Sequence, residues 1–181
     1  MPFRKPKPLN RDALRDYALR LLGGRAFSIG ELKEKLRSRA EIPGDADEVL
    51  SRLKQDGLLN DRKLADSYAA ARRDNQGQGR VRVLRDLMRR RVPSGVAAKA
   101  VEDAYKETDE TALIEQFLER KFRNRDLRAE LQDPKRLGSA YRKLRLAGFS
   151  PGKSIQVLKR YAAEHADSLE GLEEPGAEGE S

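Results

Sequence analysis

VRVLRDLMRRRVPSGVAAKAVEDA, residues 81–104, is the middle copy of a pattern that the chain carries three times. In it Val83 and Leu87 are followed by Gly95, Val101 and Ala104. The same spacing occurs 51 residues earlier as Leu32, Leu36, Gly44, Leu50 and Leu53, and 57 residues later as Ala140, Leu144, Gly152, Leu158 and Tyr161. Apolar residues three and four apart share one face of a helix, and a recurring period of about 50 residues marks a repeat architecture. Upstream, Leu14, Ala65 and Ile114 correspond, as do Tyr17, Tyr68 and Phe117. The third copy needs an eight-residue insertion, for which the charged stretch RNRDLRAE (123–130) offers a place.

Each copy then predicts three helices: 11–23, 28–40 and 45–56; 61–76, 80–91 and 95–107; 110–123, 134–147 and 151–164. Ser28 with Glu31 makes a capping box, Asn60 or Asp61 can cap the fourth helix, and Ser150 before Pro151 opens the last. The turns IPG, VPSG and FSPG each place a glycine where a positive φ would cost nothing. Helices this short bury little alone, so neighbouring copies must share apolar faces. The expected fold is all-α: three tandem three-helix repeats (11–58, 59–108 and 109–165) forming an elongated, curved helical rod. A basic flexible arm (1–10) precedes them and an acidic disordered tail (166–181) follows.

The chain of 181 residues is 38% charged and 6% aromatic, which argues against one thick core. It has no cysteine, so disulfides and thiolate chemistry are excluded. No apolar run approaches the roughly 20 residues of a membrane span. MPFRKPKP lacks the apolar core of a secretory signal, and a cytoplasmic protein is expected. The net charge of +8 is unevenly spread, with +15 on residues 1–163 and −7 beyond. A body so basic suits a polyanion, or serves only solubility. The tail either solvates the chain or competes with phosphates for the body.

Nothing in the sequence spells catalysis. His165 stands alone, no metal-ligand or phosphate-loop spacing occurs, and carboxylates sit mostly at ordinary helix-surface spacing to Lys or Arg, as in Glu31 with Lys35 and in Glu115 with Glu119 and Arg120. No catalytic residue, cofactor or metal is expected. GQG (77–79) follows a helix, not a strand, so it reads as a helix-to-helix turn. On a helical projection Val83, Leu84, Leu87 and Met88 share one side of the fifth helix, and Arg82, Arg85 and Arg89 the other, flanked by Arg90 and Asp86. That ridge is either a solvated face or a binding surface. Further cations cluster at Arg72 and Arg73, at Arg120, Lys121, Arg123, Arg125 and Arg128, and at Arg142, Lys143 and Arg145. A helix-turn-helix reading fits poorly, because the helices that would enter a groove are not basic. Phosphate contact without base reading fits better.

The segment 60–92, NDRKLADSYAAARRDNQGQGRVRVLRDLMRRRV, resembles the central part of the RecX regulatory proteins. The resemblance rests on Asp61, Leu64 with Ala65, Tyr68, Arg72, Gly77 with Gly79, Arg82 and Leu87. Leu64 stands where that family usually has phenylalanine, and Arg91 where it often has glycine. The resemblance implies a non-enzymatic modulator that lies in the groove of the RecA filament on DNA and inhibits its ATPase, strand exchange and growth. It would thereby moderate recombinational repair and the SOS response. The expected partners are the RecA filament and single- and double-stranded DNA, bound without sequence preference by a monomeric chain. The alternative is a general DNA-binding or architectural protein.

Overall fold

The computed structural model describes residues 7–123 and 125–162. The start of the basic arm, His165 and the acidic tail lie outside the described residues. Ten helices are described: α1 (Arg11–Gly24), α2 (Ile29–Arg37), α3 (Pro43–Gln55), α4 (Asp61–Gln76), α5 (Arg80–Arg89), α6 (Ser94–Tyr105), α7 (Glu110–Lys121), α8 (Leu127–Leu131), α9 (Pro134–Ala147) and α10 (Pro151–Tyr161). The fold is all-α. Its only β-type pairing among the described residues is an isolated bridge between Leu9 and Ala40.

Local chemistry explains most boundaries. Asn10 caps α1 through the Ala13 amide (3.0 Å), and the Ser28–Glu31 capping box opens α2. Asn60, not Asp61, caps α4 by accepting from the Lys63 amide (2.9 Å). The insertion expected in the third copy holds the start of the short α8, where Asp126 accepts from the amides of Arg128 and Ala129 and Leu131 is fully buried.

The glycines of the three internal turns differ from expectation. Gly44, Gly95 and Gly152 lie inside the first turns of α3, α6 and α10 without a positive φ, and a Cβ there would meet nothing within 4 Å. No steric need for glycine exists at those places. Left-handed residues sit instead beyond helix ends: Gly57 (φ 73°), Arg91 (φ 58°) and Gly148 (φ 91°). Each closes a helix through a paired bond, for example Val92 N to Leu87 O (3.1 Å) with Arg91 N to Met88 O (2.8 Å). Arg91 therefore stops α5 two residues before the predicted end. It takes the left-handed conformation in which glycine is usually found.

Chain contacts define two compact units. Unit 1 comprises Met1–Ala69 and Leu84–Asp103, and unit 2 comprises Ala70–Val83 and Ala104–Ser181. In unit 1, Leu14, Leu32, Leu36, Leu50 and Leu53 from α1–α3 form one buried cluster with Phe27. In unit 2, Ile114, Leu118, Leu131, Leu137, Leu144, Phe149 and Leu158 are buried from α7–α10. Each fully buried Leu or Phe contributes about 1.5–3 kcal/mol, which is the main force holding these short helices.

Candidate anion-binding cleft

In unit 1 the start of α2 meets the end of α5. Ser28 Oγ donates to the Arg90 carbonyl, and a Cβ on Gly30 would lie 2.6 Å from both Cβ and O of Arg91. Asp61 Oδ1 accepts from the Ile29 amide (2.9 Å), adding a second cap to α2. Glu31 accepts from the Ser28 amide (3.0 Å), Arg25 (3.2 Å) and Arg90 (3.1 Å), and is not the surface partner of Lys35 that the sequence spacing suggested. Burial would push Glu31 up, but the hydrogen bonds from Arg25 and Arg90 hold its carboxyl below the ordinary value. Burial raises Asp61, against the pull of its bond from Ile29. Arg90 also donates to the Ala26 carbonyl (2.7 Å) and lies 5.4 Å from the Tyr68 ring centroid.

In unit 2 the start of α5 meets the end of α9 in the same way. The Gly79 amide donates to the Ala147 carbonyl (2.8 Å), and the Val81 amide to the Gly148 carbonyl (3.2 Å). A Cβ on Gly79 would collide with the Gly148 carbonyl, and one on Gly148 with the Arg82 backbone. Ser28 and Gly79 are 51 residues apart, and Arg90 and Ala147 are 57 apart. These are the offsets of the sequence pattern, so the two joints are one contact made with different atoms. Glycine at 79 is needed for close approach, because backbone here bonds directly to backbone.

Beside the second joint, unit 2 opens a cleft of about 570 Å³ lined by Gln78, Arg82, Arg120, Lys121, Lys143 and Leu146, among others, with no carboxylate among its lining residues. The Arg120 guanidinium is held by the carbonyls of Gln116 (3.3 Å) and Asn75 (3.4 Å), in space that a Cβ on Gly77 would occupy. The Lys121 ammonium lies 5.6 Å from the Phe117 ring centroid, and the Lys143 ammonium 5.4 Å from that of Phe122. Among the described residues, Arg120, Lys121 and Lys143 have no carboxylate within 4.0 Å. Gln78 donates to Gln76 (3.0 Å), while its buried Oε1 meets no donor among the described residues. The cleft thus presents Arg120, Lys121 and Lys143 without a described carboxylate to neutralise them.

The other predicted cations divide by their partners. Arg73 pairs with Asp74 (2.6 Å), whose hydrogen bond raises the guanidinium pKa, and also donates to the Ala104 carbonyl. Arg72 bonds Gln76, Arg145 donates to the Phe149 carbonyl (2.6 Å), and Arg125 lies 3.5 Å from Glu130. Arg85, Arg123, Arg128 and Arg142 are exposed, as is Arg89, 3.8 Å from Asp86. Glu115 pairs with Arg160 (2.8 Å) and not with Arg120. The projection of α5 also needs correction. Met88, expected on the apolar side, is 52% exposed, whereas Asp86 is buried with its Oδ2 3.5 Å from Tyr68 Oη. The buried arc runs through Val83, Asp86 and Leu87 towards Arg90, and Arg82 is half-buried instead of standing on a ridge with Arg85 and Arg89. The Tyr68 hydroxyl donates to Asp86 and its ring lies beside the Arg90 guanidinium, so the buried side of α5 takes in polar groups as well as apolar ones.

A protein of Halorhodospira halophila named regulatory protein RecX is 39% identical over 111 residues, covering 61% of this chain and 67% of the relative. A regulatory protein RecX of Deinococcus radiodurans is 33% identical over 163 residues, covering 89% of this chain and 74% of the relative. The chain belongs to the RecX family. The crystal structure of RecX from Lactobacillus salivarius shares the fold, with a TM-score of 0.63 at 19% identity over 83% of this chain and 96% of that one. No family model matches the chain.

The residues that carry the RecX resemblance acquire physical roles here. Asp61 caps α2, Tyr68 receives the Arg90 guanidinium, Gly77 makes room for Arg120, and Gly79 allows the joint with α9. Sequence spacing gave no sign of Asp61 reaching α2 or of Gly77 facing Arg120, since both contacts join segments more than 30 residues apart. Among the described residues no group of three or more His, Cys, Asp or Glu side chains could hold a metal, and no helix is long and apolar enough to cross a membrane.

Proposed function

We propose that this RecX-family chain binds along the RecA filament on DNA and restrains it, inhibiting ATP hydrolysis, strand exchange and filament growth. It would thereby moderate recombinational repair and the SOS response. The observation that carries this reading is the cleft of unit 2, where Arg120, Lys121 and Lys143 present charge that no described carboxylate neutralises. Uncompensated cations exchange condensed counterions for phosphate contacts, so they favour a nucleoprotein partner over a neutral one. Three repeats, 11–58, 59–108 and 109–165, lying in the filament groove would let a monomeric chain span successive RecA subunits. The joint repeated at offsets of 51 and 57 residues supports that arrangement.

The second reading, a general DNA-binding protein, draws on the same cleft. The two separate when affinity is measured side by side for assembled filament, free RecA and bare DNA. Filament binding at least tenfold tighter than either component is expected. Equal affinity for bare DNA and filament, with a steep salt dependence in both, would replace the first reading by the second.

A further inference from the structure

We infer that the acidic segment LEGLEE, residues 169–174, docks in the cationic cleft of unit 2 of its own chain and has to leave before a polyanionic partner can enter. The cleft is then a self-masked site. This rests on the proposed function only for what the masking regulates; the contact itself follows from unit 2 and from the sequence beyond it.

Charge complementarity selects the occupant. No Lys or Arg occurs after Arg160, whereas Glu164, Asp167, Glu170, Glu173, Glu174, Glu178 and Glu180 do. Arg120, Lys121 and Lys143 line a cleft of about 570 Å³ that has no carboxylate among its lining residues. Other cations of unit 2 are already matched: Arg160 with Glu115 (2.8 Å), and Arg136 and Arg125 with Glu130. Arg120 is oriented by the carbonyls of Gln116 and Asn75, so an incoming carboxylate meets a placed guanidinium and not a freely rotating one. The segment also fits the apolar part of the cleft. Leu146 stands 66% exposed in its lining, and Leu169 and Leu172 alternate with the glutamates, so docking removes apolar surface from water on both sides.

The point at which the chain leaves unit 2 makes the contact reachable. Ala162 is fully buried, the Tyr161 carbonyl accepts from Gln132 Nε2 (3.0 Å), and Arg160 holds Glu115 on α7. Arg120 and Lys121 follow Glu115 by five and six residues. That is a rise of about 9 Å along a helix about 10–12 Å across. The seven residues from Ala162 to Leu169 extend to about 25 Å, enough to round α7 and enter the cleft. A tether this short holds the glutamates at an effective concentration of about 1 mM, far above a second copy in micromolar solution, so the contact lies within one chain. With an intrinsic Kd of about 0.25 mM, it would weaken a competing polyanion about fivefold.

The test is zero-length carbodiimide coupling of carboxylates to amines in the full chain, with the joined peptides mapped by mass spectrometry. At about 0.01 M salt, Glu170, Glu173 or Glu174 should be joined to Lys121 or Lys143 about fivefold more often than to Lys54, Lys135 or Lys153, which are equally exposed. The excess should vanish at about 1 M salt, where the screening length falls from about 30 Å to about 3 Å. Glu170→Gln/Glu173→Gln/Glu174→Gln should tighten binding of a labelled single strand of about 15 nucleotides about fivefold at low salt. In an Arg120→Gln/Lys121→Gln/Lys143→Gln background the same tail substitutions should change that affinity less than about twofold. Should that background unfold, as judged by circular dichroism, the coupling pattern of the parent decides. Coupling spread evenly over the exposed lysines overturns the inference, as does equal tightening in both backgrounds, which is general repulsion. Joined peptides between isotope-labelled and unlabelled copies overturn it in favour of a second copy. The coupling needs neither RecA nor nucleic acid, so failure of the proposed function would be seen separately, as a chain with a docked tail that leaves RecA unaffected.

Discussion

The joint of unit 1 and the joint of unit 2 share a geometry and differ in what surrounds it. In unit 1, side chains complete the contact: Ser28 bonds the end of α5, and Arg90 is enclosed by Glu31, the Ala26 carbonyl and the Tyr68 ring. In unit 2, two glycines bring backbone against backbone, and Arg120, Lys121 and Lys143 nearby have no carboxylate partner among the described residues. A cleft of similar size in unit 1, about 590 Å³, is lined mainly by apolar residues such as Leu22, Phe27, Leu58 and Leu64, and its arginine is Arg90. Two copies of one joint thus differ: the first uses its arginine for cohesion, and the second has cations that the proposed function assigns to a partner.

The largest expected break in this comparison is Gly148→Ala. It forces an L side chain into φ 91° and drives a Cβ into the Arg82 backbone, so unit 2 should lose about 3 kcal/mol of stability in chemical denaturation. Arg90→Ala attacks the other joint by removing one donor from Glu31 and one from the Ala26 carbonyl, leaving both with Arg25. Its expected cost is about 2 kcal/mol, with strand affinity unchanged within twofold. If Arg90→Ala instead weakened strand binding tenfold at constant stability, the division of labour between the joints would be wrong.

Arg91→Gly should have a smaller effect of opposite sign. Relief of the left-handed conformation gains about 0.5–1 kcal/mol, while the lost pair with Glu34 joins two exposed side chains and is worth little. A melting temperature that falls would show that Arg91 contributes more than its backbone costs. The smallest effect is a pH slope. Asp61 holds its proton more tightly folded than unfolded, so its contribution is full below pH 3.8 and is lost as pH rises through the folded value. Asp61→Asn keeps an acceptor for the Ile29 amide and should remove that decline. Parallel stability curves for parent and variant above pH 3.8 would contradict it.

Helix identity was readable in the sequence because it depends on local periodicity and caps: nine helices were expected, and each is present within a few residues. The short α8 escaped because five residues give no periodicity, and it is held by burial of Leu131. The site was readable only as charge. Spacing cannot tell Arg90, bound to a carboxylate 59 residues away, from Lys143, which has none among the described residues. The buried Asp86 also turned α5 away from the face that apolar residues alone would choose. Glycines were recognised as turn residues, but their purpose at 77, 79 and 148 lies in what packs against them, which no local window contains.

The most direct test of the central claim is RecA's DNA-dependent ATPase, measured with stoichiometric amounts of this chain and of the folded Arg120→Glu/Lys121→Glu/Lys143→Glu variant. The account predicts strong inhibition by the parent and at least a tenfold weaker effect of the variant. An ATPase that the parent leaves unchanged, or that both proteins inhibit equally, would contradict it.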